Sequence, residues 1–443
     1  MASEVSSGAG TAAPQALPWN APRAERPVSG RVLVPGSKSE TNRALVLAAV
    51  ADGPSVITGA LDARDSRLMR AALLALGTDI GPLDASGTRV CPPAVLTPAP
   101  GPVDVGLAGN VMRFVPPLAA LAAGRTRFVG DPEASRRPVA PLLDGLRQLG
   151  VPVEGDAVPF SVVGGTLTGR GATIDASASS QFVSGLLLAG ARFPRGLELR
   201  HSGPNDADVP SRPHIDMTVA MLRDRGVSIS CPDDSTWVVE PGPVAALDQR
   251  IEPDLTNAAV FLAVAAVTGG EVVVPGWPVR TTQGGDAIRD LLARMGAEVR
   301  LDGDDLHVHG LGGLTGVTVD LHASSELTPV AAALGALAEG VTTISGVAHI
   351  RGHETDRLAA LATELTKLGA RVDELADGLR IEGRGPGALH GTRLATYADH
   401  RLAHAAALVG AVVAGVSLDD VACTSKTLPD FPALWSRLVG GEA

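Results

Sequence analysis

Lysine is nearly missing from this chain: of 443 residues only Lys38, Lys367 and Lys426 are lysines, beside 34 arginines. Arginine carries a planar fork that is always charged, whereas lysine offers a compact ammonium that shifts its pKa and exchanges a proton. Retained lysines therefore mark places where chemistry wants that ammonium. Lys367 precedes Gly369 at the end of a helical pattern, where a cation complements the C-terminal partial charge, so Lys38 and Lys426 are the first candidates. Aromatic residues make up 3%, with Tyr397 the single tyrosine, and the net charge is −11. Neither the basic face nor the stacking platforms of a nucleic-acid binder are present. Cys91, Cys231 and Cys423 are far apart and odd in number, which excludes a disulfide framework and a zinc site and leaves buried structural thiols. Long apolar runs are absent as well, so no segment reads as a membrane span. The start, through about Pro18, is rich in Ala, Ser, Gly and Pro and lacks a basic segment leading into an apolar one. It reads as a disordered tail, and a cytoplasmic protein is expected.

What the chain does have is a repeat. An amphipathic helix running into glycine and then a short β-branched strand recurs with junctions at Gly77, Gly150, Gly226, Gly296 and Gly369, separated by 73, 76, 70 and 73 residues. Each glycine sits where a helix ends in the left-handed conformation, and each unit is long enough for several strands and two helices. A sixth copy ends at Gly440 with no residues left for its strand, and SGRVLV, residues 29–34, which reads as an orphan strand before any helix, is expected to supply it. Both termini are thus expected in one domain. Six units divide into two similar α/β domains of three, with a tail at 1–18, one domain from 19–34 plus 253–443, and a continuous one over 35–252. The cleft between them is a natural ligand site.

Polar segments that open helices keep reappearing. PGSKSETNRA (35–44) leads from a Pro-Gly turn into LVLAAVA, with Ser37 and Glu40 in the S-x-x-E capping-box pattern and Lys38, Ser39 and Arg43 facing whatever meets the helix N-terminus. It is not a Walker A loop, because Ser37 stands between the glycine and the lysine. Similar openings lie at 107–114 with Gly109 and Arg113, at 177–182 with Ser179, Ser180 and Gln181, and at 209–216 with Ser211. Three more follow at 324–329 with Glu326, at 351–358 with His353, Glu354 and Arg357, and at 397–404 with Arg401. If both domains aim these openings at one cleft, helix partial charges add to Lys38, Arg43, Arg113, Arg137, Arg357, Arg401 and Lys426, and the cleft suits substrates bearing phosphates and carboxylates. Glu326 and Glu354 stand out in it as carboxylates that accept or relay a proton. For Glu354 a first-turn acid at a helix start is an equally good reading.

Taken in order, PGSKSETNRA, SASSQF, RGHETDRLAAL, YADHRLA and CTSKTLPDF (423–431) resemble the 5-enolpyruvylshikimate-3-phosphate synthase family of enolpyruvyl transferases, from about residue 28 to the end. The resemblance implies two domains of three βαβαββ units each, forming an inside-out α/β barrel with the active site between the domains. It implies transfer of the enolpyruvyl group of phosphoenolpyruvate to the 5-hydroxyl of shikimate 3-phosphate by addition and elimination, with no metal or organic cofactor. No long heptad or apolar stripe calls for an obligate partner, so a monomer is expected. By matching positions it implies that Lys38, Gly109, Arg137, Gln181, Arg357, Arg401 and Lys426 bind phosphoenolpyruvate. Lys38, Ser39, Arg43, Ser179, Ser180, Ser211, Glu326 and His353 would bind shikimate 3-phosphate. Glu326 is then the proton acceptor, and Lys38 and Glu354 are the candidates to protonate the methylene carbon.

Some positions depart from the best-known pattern. Glu326 stands where Asp is commoner, His353 where Lys is, and His349 and His214 replace Asn and Tyr. A histidine at 353 brings a pH dependence that lysine lacks. Asn110 follows Gly109 where Thr is usual, which raises altered phosphoenolpyruvate affinity or glyphosate tolerance. Two alternatives have definite sequence marks. The sister transferase acting on UDP-N-acetylglucosamine usually has Asn after the early lysine and a reactive loop cysteine, whereas Ser39 follows Lys38 here and no cysteine falls in a matching Gly-rich loop. A non-catalytic ligand-binding paralogue is supported only by Asn110 and the histidine changes.

Overall fold

The computed structural model describes residues 18–84, 86–204 and 208–440. The expected tail lies, apart from Pro18, outside the described residues. Among the described residues there are twelve α-helices: α1 (Lys38–Ala49), α2 (Arg64–Ala75), α3 (Gly109–Ala119), α4 (Ala140–Gln148), α5 (Gln181–Gly190), α6 (Pro213–Asp224), α7 (Leu255–Thr268), α8 (Ile288–Arg294), α9 (Thr328–Leu337), α10 (Arg357–Lys367), α11 (His400–Gly410) and α12 (Phe431–Gly440). The odd-numbered helices are buried along almost their whole length, and α5, α7 and α9 are apolar nearly all round, as α7 with its LTNAAVFLAVAAVT sequence illustrates. Even-numbered helices are amphipathic and cover the outside. Helix α12, for example, buries Phe431, Trp435, Leu438 and Val439.

Three of the six odd–even helix pairs alternate with strands along the chain in the order strand, helix, strand, helix, strand, strand. In residues 103–164, strand Val103–Asp104 runs parallel to Gly124–Val129, which pairs antiparallel with Phe160–Gly164, itself antiparallel to Val153–Glu154. The other four-stranded sheets repeat this order. The five junction glycines all have positive φ, from 74° at Gly226 to 107° at Gly296. Gly440 differs: it is the last residue of α12.

Three units are completed by strands from elsewhere in the chain. Gln249–Arg250 returns to pair parallel with Ser55–Thr58 of the first unit. The expected orphan strand is shorter than its apolar pattern, Ser29–Arg31, and runs parallel to Glu271–Pro275 of the fourth unit rather than filling the sixth. The sixth takes Trp19–Asn20, antiparallel to Ser417–Leu418. The reason is polarity: the fourth unit lacks its leading parallel strand, which 29–31 supplies, while the sixth lacks an antiparallel one.

Two apolar cores result. One is built from Ala44 to Ile251, the other from Val28 and Val32 together with Leu255 through Val439. The chain passes twice between them, and the passages are laced together: Ser37 N donates to Glu252 O at 2.8 Å and Asp254 N to Pro35 O at 2.9 Å. Glu40 is part of this lacing, not of a reciprocal capping box. Ser37 Oγ does accept from Glu40 N, but the Glu40 carboxylate accepts from Gln249 Nε2 at 2.8 Å and Glu252 N at 3.0 Å. Burial, then the neighbouring Glu252, raises its pKa to about 7. No described helix is long and apolar enough to cross a membrane.

Candidate active site

All six odd-numbered helices start at one cavity between the two cores, and so do the loops before α6 and α10. Every one of the seven helix openings picked out in the sequence contributes to its lining. From the first lobe come Lys38, Ser39, Gly109, Arg137, Ser179, Ser180, Gln181 and Ser211. From the second come Glu326, His353, Glu354, Arg357, Arg401 and Lys426. The lining holds six cations and four carboxylates, so the cavity is locally positive in a chain whose net charge is −11.

The helix starts differ between lobes. Helices α3 and α5 begin without a side-chain cap, and α1 begins with Ser37. In the second lobe, α7 and α11 are capped by Asp254 and Asp399. The partial positive charge at the starts of α3 and α5 is thus not offset by caps, which favours anion binding there; in the second lobe α9 is likewise uncapped.

Arg43 is the predicted site residue that the structure does not bring to the cavity. It is 1% exposed and its fork is used up inside the first lobe, on Thr218 Oγ1 (2.7 Å), Ser39 O (2.9 Å), Ser184 Oγ (3.2 Å) and His214 O (2.9 Å). Burial lowers its pKa to about 9. It braces the Ser39 end of α1 from behind.

On the first-lobe wall Arg113 Nη1 donates to Gln181 Oε1 at 2.8 Å, and Arg137 Nη1 to Leu107 O at 2.7 Å. Gly109 permits this crowding: a Cβ there would lie 2.7 Å from Arg113 Nη1, 3.0 Å from Gln181 Oε1 and 3.1 Å from Arg137 Nη2. Asn110 beside it is 4% exposed, and its Nδ2 has no hydrogen-bond partner.

The second-lobe wall is organised by Arg357, 1% exposed. Its Nε donates to Asp399 Oδ2 at 2.7 Å, Nη1 to Glu326 Oε2 at 2.9 Å and Nη2 to Glu354 Oε2 at 3.0 Å. Arg401 Nε reaches the same Glu326 oxygen at 2.5 Å, and Lys426 Nζ donates to Glu354 Oε1. Burial opposes ionisation of both glutamates, yet Arg357 and Arg401 hold Glu326, and Lys426 and Arg357 hold Glu354, well below the usual carboxylate range. Glu354 is not a first-turn acid: α10 starts at Arg357, with Asp356 as its cap.

The histidines that line the cavity are all held below their ordinary pKa. Burial and then Arg357 lower His353 to about 3, and burial with neighbouring positive groups lowers His349 and His214 to about 4. The pH dependence expected from His353 therefore falls far below neutrality. Its Nδ1, 3.0 Å from Arg357 Nη1, is an acceptor there.

Four lining features escaped the sequence reading. Asp65, 2% exposed, pairs with Lys38 Nζ at 3.3 Å. Asp254 accepts from Lys38 N at 3.3 Å as well as capping α7. His400 has neither ring nitrogen partnered, and the Gln283–Gly285 loop closes one edge. The two aspartates had a signal, an acid at a helix start, but it is the signal of an ordinary first-turn acid for Asp65 and of an ordinary cap for Asp254.

Two lobes of three βαβαββ units, with buried helices converging on a cleft, define the enolpyruvyl transferase class of fold. EPSP synthase from Acinetobacter baumannii superposes with a TM-score of 0.78 at 24% identity, covering 95% of this chain and 98% of that one. The enolpyruvyl transferase NikO from Streptomyces tendae superposes with a TM-score of 0.75 at 22% identity, covering 94% and 96%. Both likenesses concern the fold. The sequence goes further: the family described as EPSP synthase (3-phosphoshikimate 1-carboxyvinyltransferase) matches residues 22–435. A 3-phosphoshikimate 1-carboxyvinyltransferase of Kocuria rhizophila is 54% identical over 436 residues, covering 96% of this chain and 97% of that protein. The chain belongs to the EPSP synthase family.

Proposed function

We propose that the protein transfers the enolpyruvyl group of phosphoenolpyruvate to the 5-hydroxyl of shikimate 3-phosphate and releases phosphate. The observation that carries this is the convergence of six cations and six helix starts on one interlobe cavity in a member of this family. Two polyanionic substrates need such a cavity, and charge that develops on the leaving phosphate is stabilised by donors already in place.

In this reading the first-lobe residues Ser39, Ser179, Ser180 and Ser211 take shikimate 3-phosphate, and Lys38, Gly109, Arg137, Gln181, Arg357, Arg401 and Lys426 take phosphoenolpyruvate. Arg43 acts from behind as a brace. The paired carboxylates then acquire a timed role. Glu326 and Glu354 are weak bases while they share Arg357, Arg401 and Lys426 among themselves. An incoming phosphate and carboxylate compete for those same cations, and each donor drawn away raises the proton affinity of the glutamate it leaves. Glu326 thereby becomes a better acceptor for the hydroxyl proton as the site fills, and Glu354 a better carrier of a proton for the methylene carbon. Lys38, held by Asp65, is the second candidate donor.

We assign residues 19–34 with 253–443 to one domain and 35–252 to the other, supported by the separation of the two cores. The protein works as a cytoplasmic monomer in this account. The test is phosphate release that requires both substrates together. Release from phosphoenolpyruvate alone at the same rate, or none with both, rejects the proposal.

A further inference from the structure

Two of the hydrogen bonds that join the lobes at the cavity end on Ser211. Its backbone N–H donates to His322 O at 3.2 Å, and its hydroxyl oxygen lies 3.1 Å from Ser325 Oγ. Ser211 sits at φ 53°, a left-handed conformation that a residue with a side chain rarely keeps without support. The support comes from the opposite lobe. Ser325 is 0% exposed and belongs to the short 3-10 turn His322–Leu327, which is itself tied down by Asp320 Oδ1 accepting from His322 N at 2.7 Å. The next residue in that turn is Glu326.

We infer that Ser325 is a positioning residue for the transfer: it seats Ser211 against the turn that carries Glu326, so that filling the phosphate site of the first lobe and placing Glu326 in the second become one event. This rests on the proposed function, in which Ser211 is a phosphate ligand. The chemistry of the pair fits. A serine hydroxyl has one proton to give and two lone pairs to receive. When Ser325 donates to Ser211, the Ser211 proton is directed away from Ser325, toward an anion in the cavity. The same contact that closes the lobes thus sets the rotor that grips the ligand. Glu326 is brought along because it is adjacent in a short, tethered turn.

The experiment is a double-mutant cycle in the full chain, with Ser211→Ala, Ser325→Ala and the pair, each assayed for turnover and melted to confirm folding. Ser325→Ala should lower kcat/KM for shikimate 3-phosphate about tenfold, while in the Ser211→Ala background it should change it less than about twofold, because the interaction is already gone. The KM for phosphoenolpyruvate should move little, which a general loss of structure would not spare. Ser325→Thr, which keeps the hydroxyl, should recover most of the loss. Should Ser325→Ala not fold, Ser325→Gly removes the same hydroxyl and carries the same cycle. Equal effects in both backgrounds, or no effect in either, overturn the inference while the wild type still turns over. A wild type that does not convert the two substrates overturns the parent reading, and this inference with it.

Discussion

Replacing Arg357 by methionine isolates the energetic centre of the site. The guanidinium is 1% exposed and bonds three carboxylates, Asp399, Glu326 and Glu354, which do not lose equally when it goes. Glu326 keeps Arg401 and Glu354 keeps Lys426, whereas Asp399, 0% exposed, keeps only the N–H of Arg401 at 2.9 Å. Stranding one buried charge costs roughly 3–5 kcal/mol, and methionine restores the packed volume but not the charge. We expect Arg357→Met to lose about 4 kcal/mol near pH 7, read from urea unfolding at constant slope. The pH dependence has a definite sign. Glu326 and Glu354 are depressed in the folded wild type, so their contribution is present above the ordinary glutamate range and is lost as pH falls through the lower folded values. In the variant this contribution shrinks, and stranded carboxylates take up protons instead. The gap between the two proteins should therefore be widest near neutrality and narrow steadily below about pH 5. A loss under about 1 kcal/mol, or a gap that widens on acidification, would refute the view that Arg357 compensates three buried charges.

Other outcomes follow from the same geometry. Glu40, raised to about 7, contributes stability that is complete below the ordinary glutamate range and is lost as pH rises through 7. Wild-type stability should thus fall by up to about 3 kcal/mol between pH 4.5 and 8 from this group, and Glu40→Gln should flatten that slope in urea titrations. Gly109→Ala places a methyl 2.7 Å from Arg113 Nη1 and should raise the KM for phosphoenolpyruvate by at least about tenfold with little change in Tm. Asn110→Thr removes a buried unpartnered donor, so it should stabilise by about 1 kcal/mol. It should also shift both the phosphoenolpyruvate KM and the glyphosate inhibition curve, and unchanged curves would remove Asn110 from the pocket's function.

Most of the site was legible because it is made of helix starts. Gly, Ser and Arg at the beginning of an apolar run carry a local signature, and the regular spacing of Gly77 through Gly369 says that the runs are equivalent, so that their openings fall together. The illegible parts depend on direction and partner. Arg43 lies one turn beyond Ser39, and only the packing of α1 against α5 and α6 turns its fork inward, to Ser184, Thr218 and His214 O. Glu40 matches a capping box in sequence, but Gln249 and Glu252, more than two hundred residues away, outbid the local bond. Asp65 looks like any first-turn acid and Asp254 like any N-cap until Lys38 is seen beside them. The orphan strand was recognisable as a strand, yet its partner depended on which unit lacked a parallel neighbour, and no local pattern states that.

The interlobe cavity has to join two anionic substrates. The most direct test is to mix the purified protein with shikimate 3-phosphate and carbon-labelled phosphoenolpyruvate and to follow the label by NMR. The labelled vinyl group should move into an enol ether on the shikimate ring while an equal amount of phosphate appears, and Lys426→Met should abolish both signals. Tight binding of both substrates with the label unmoved would contradict this transfer.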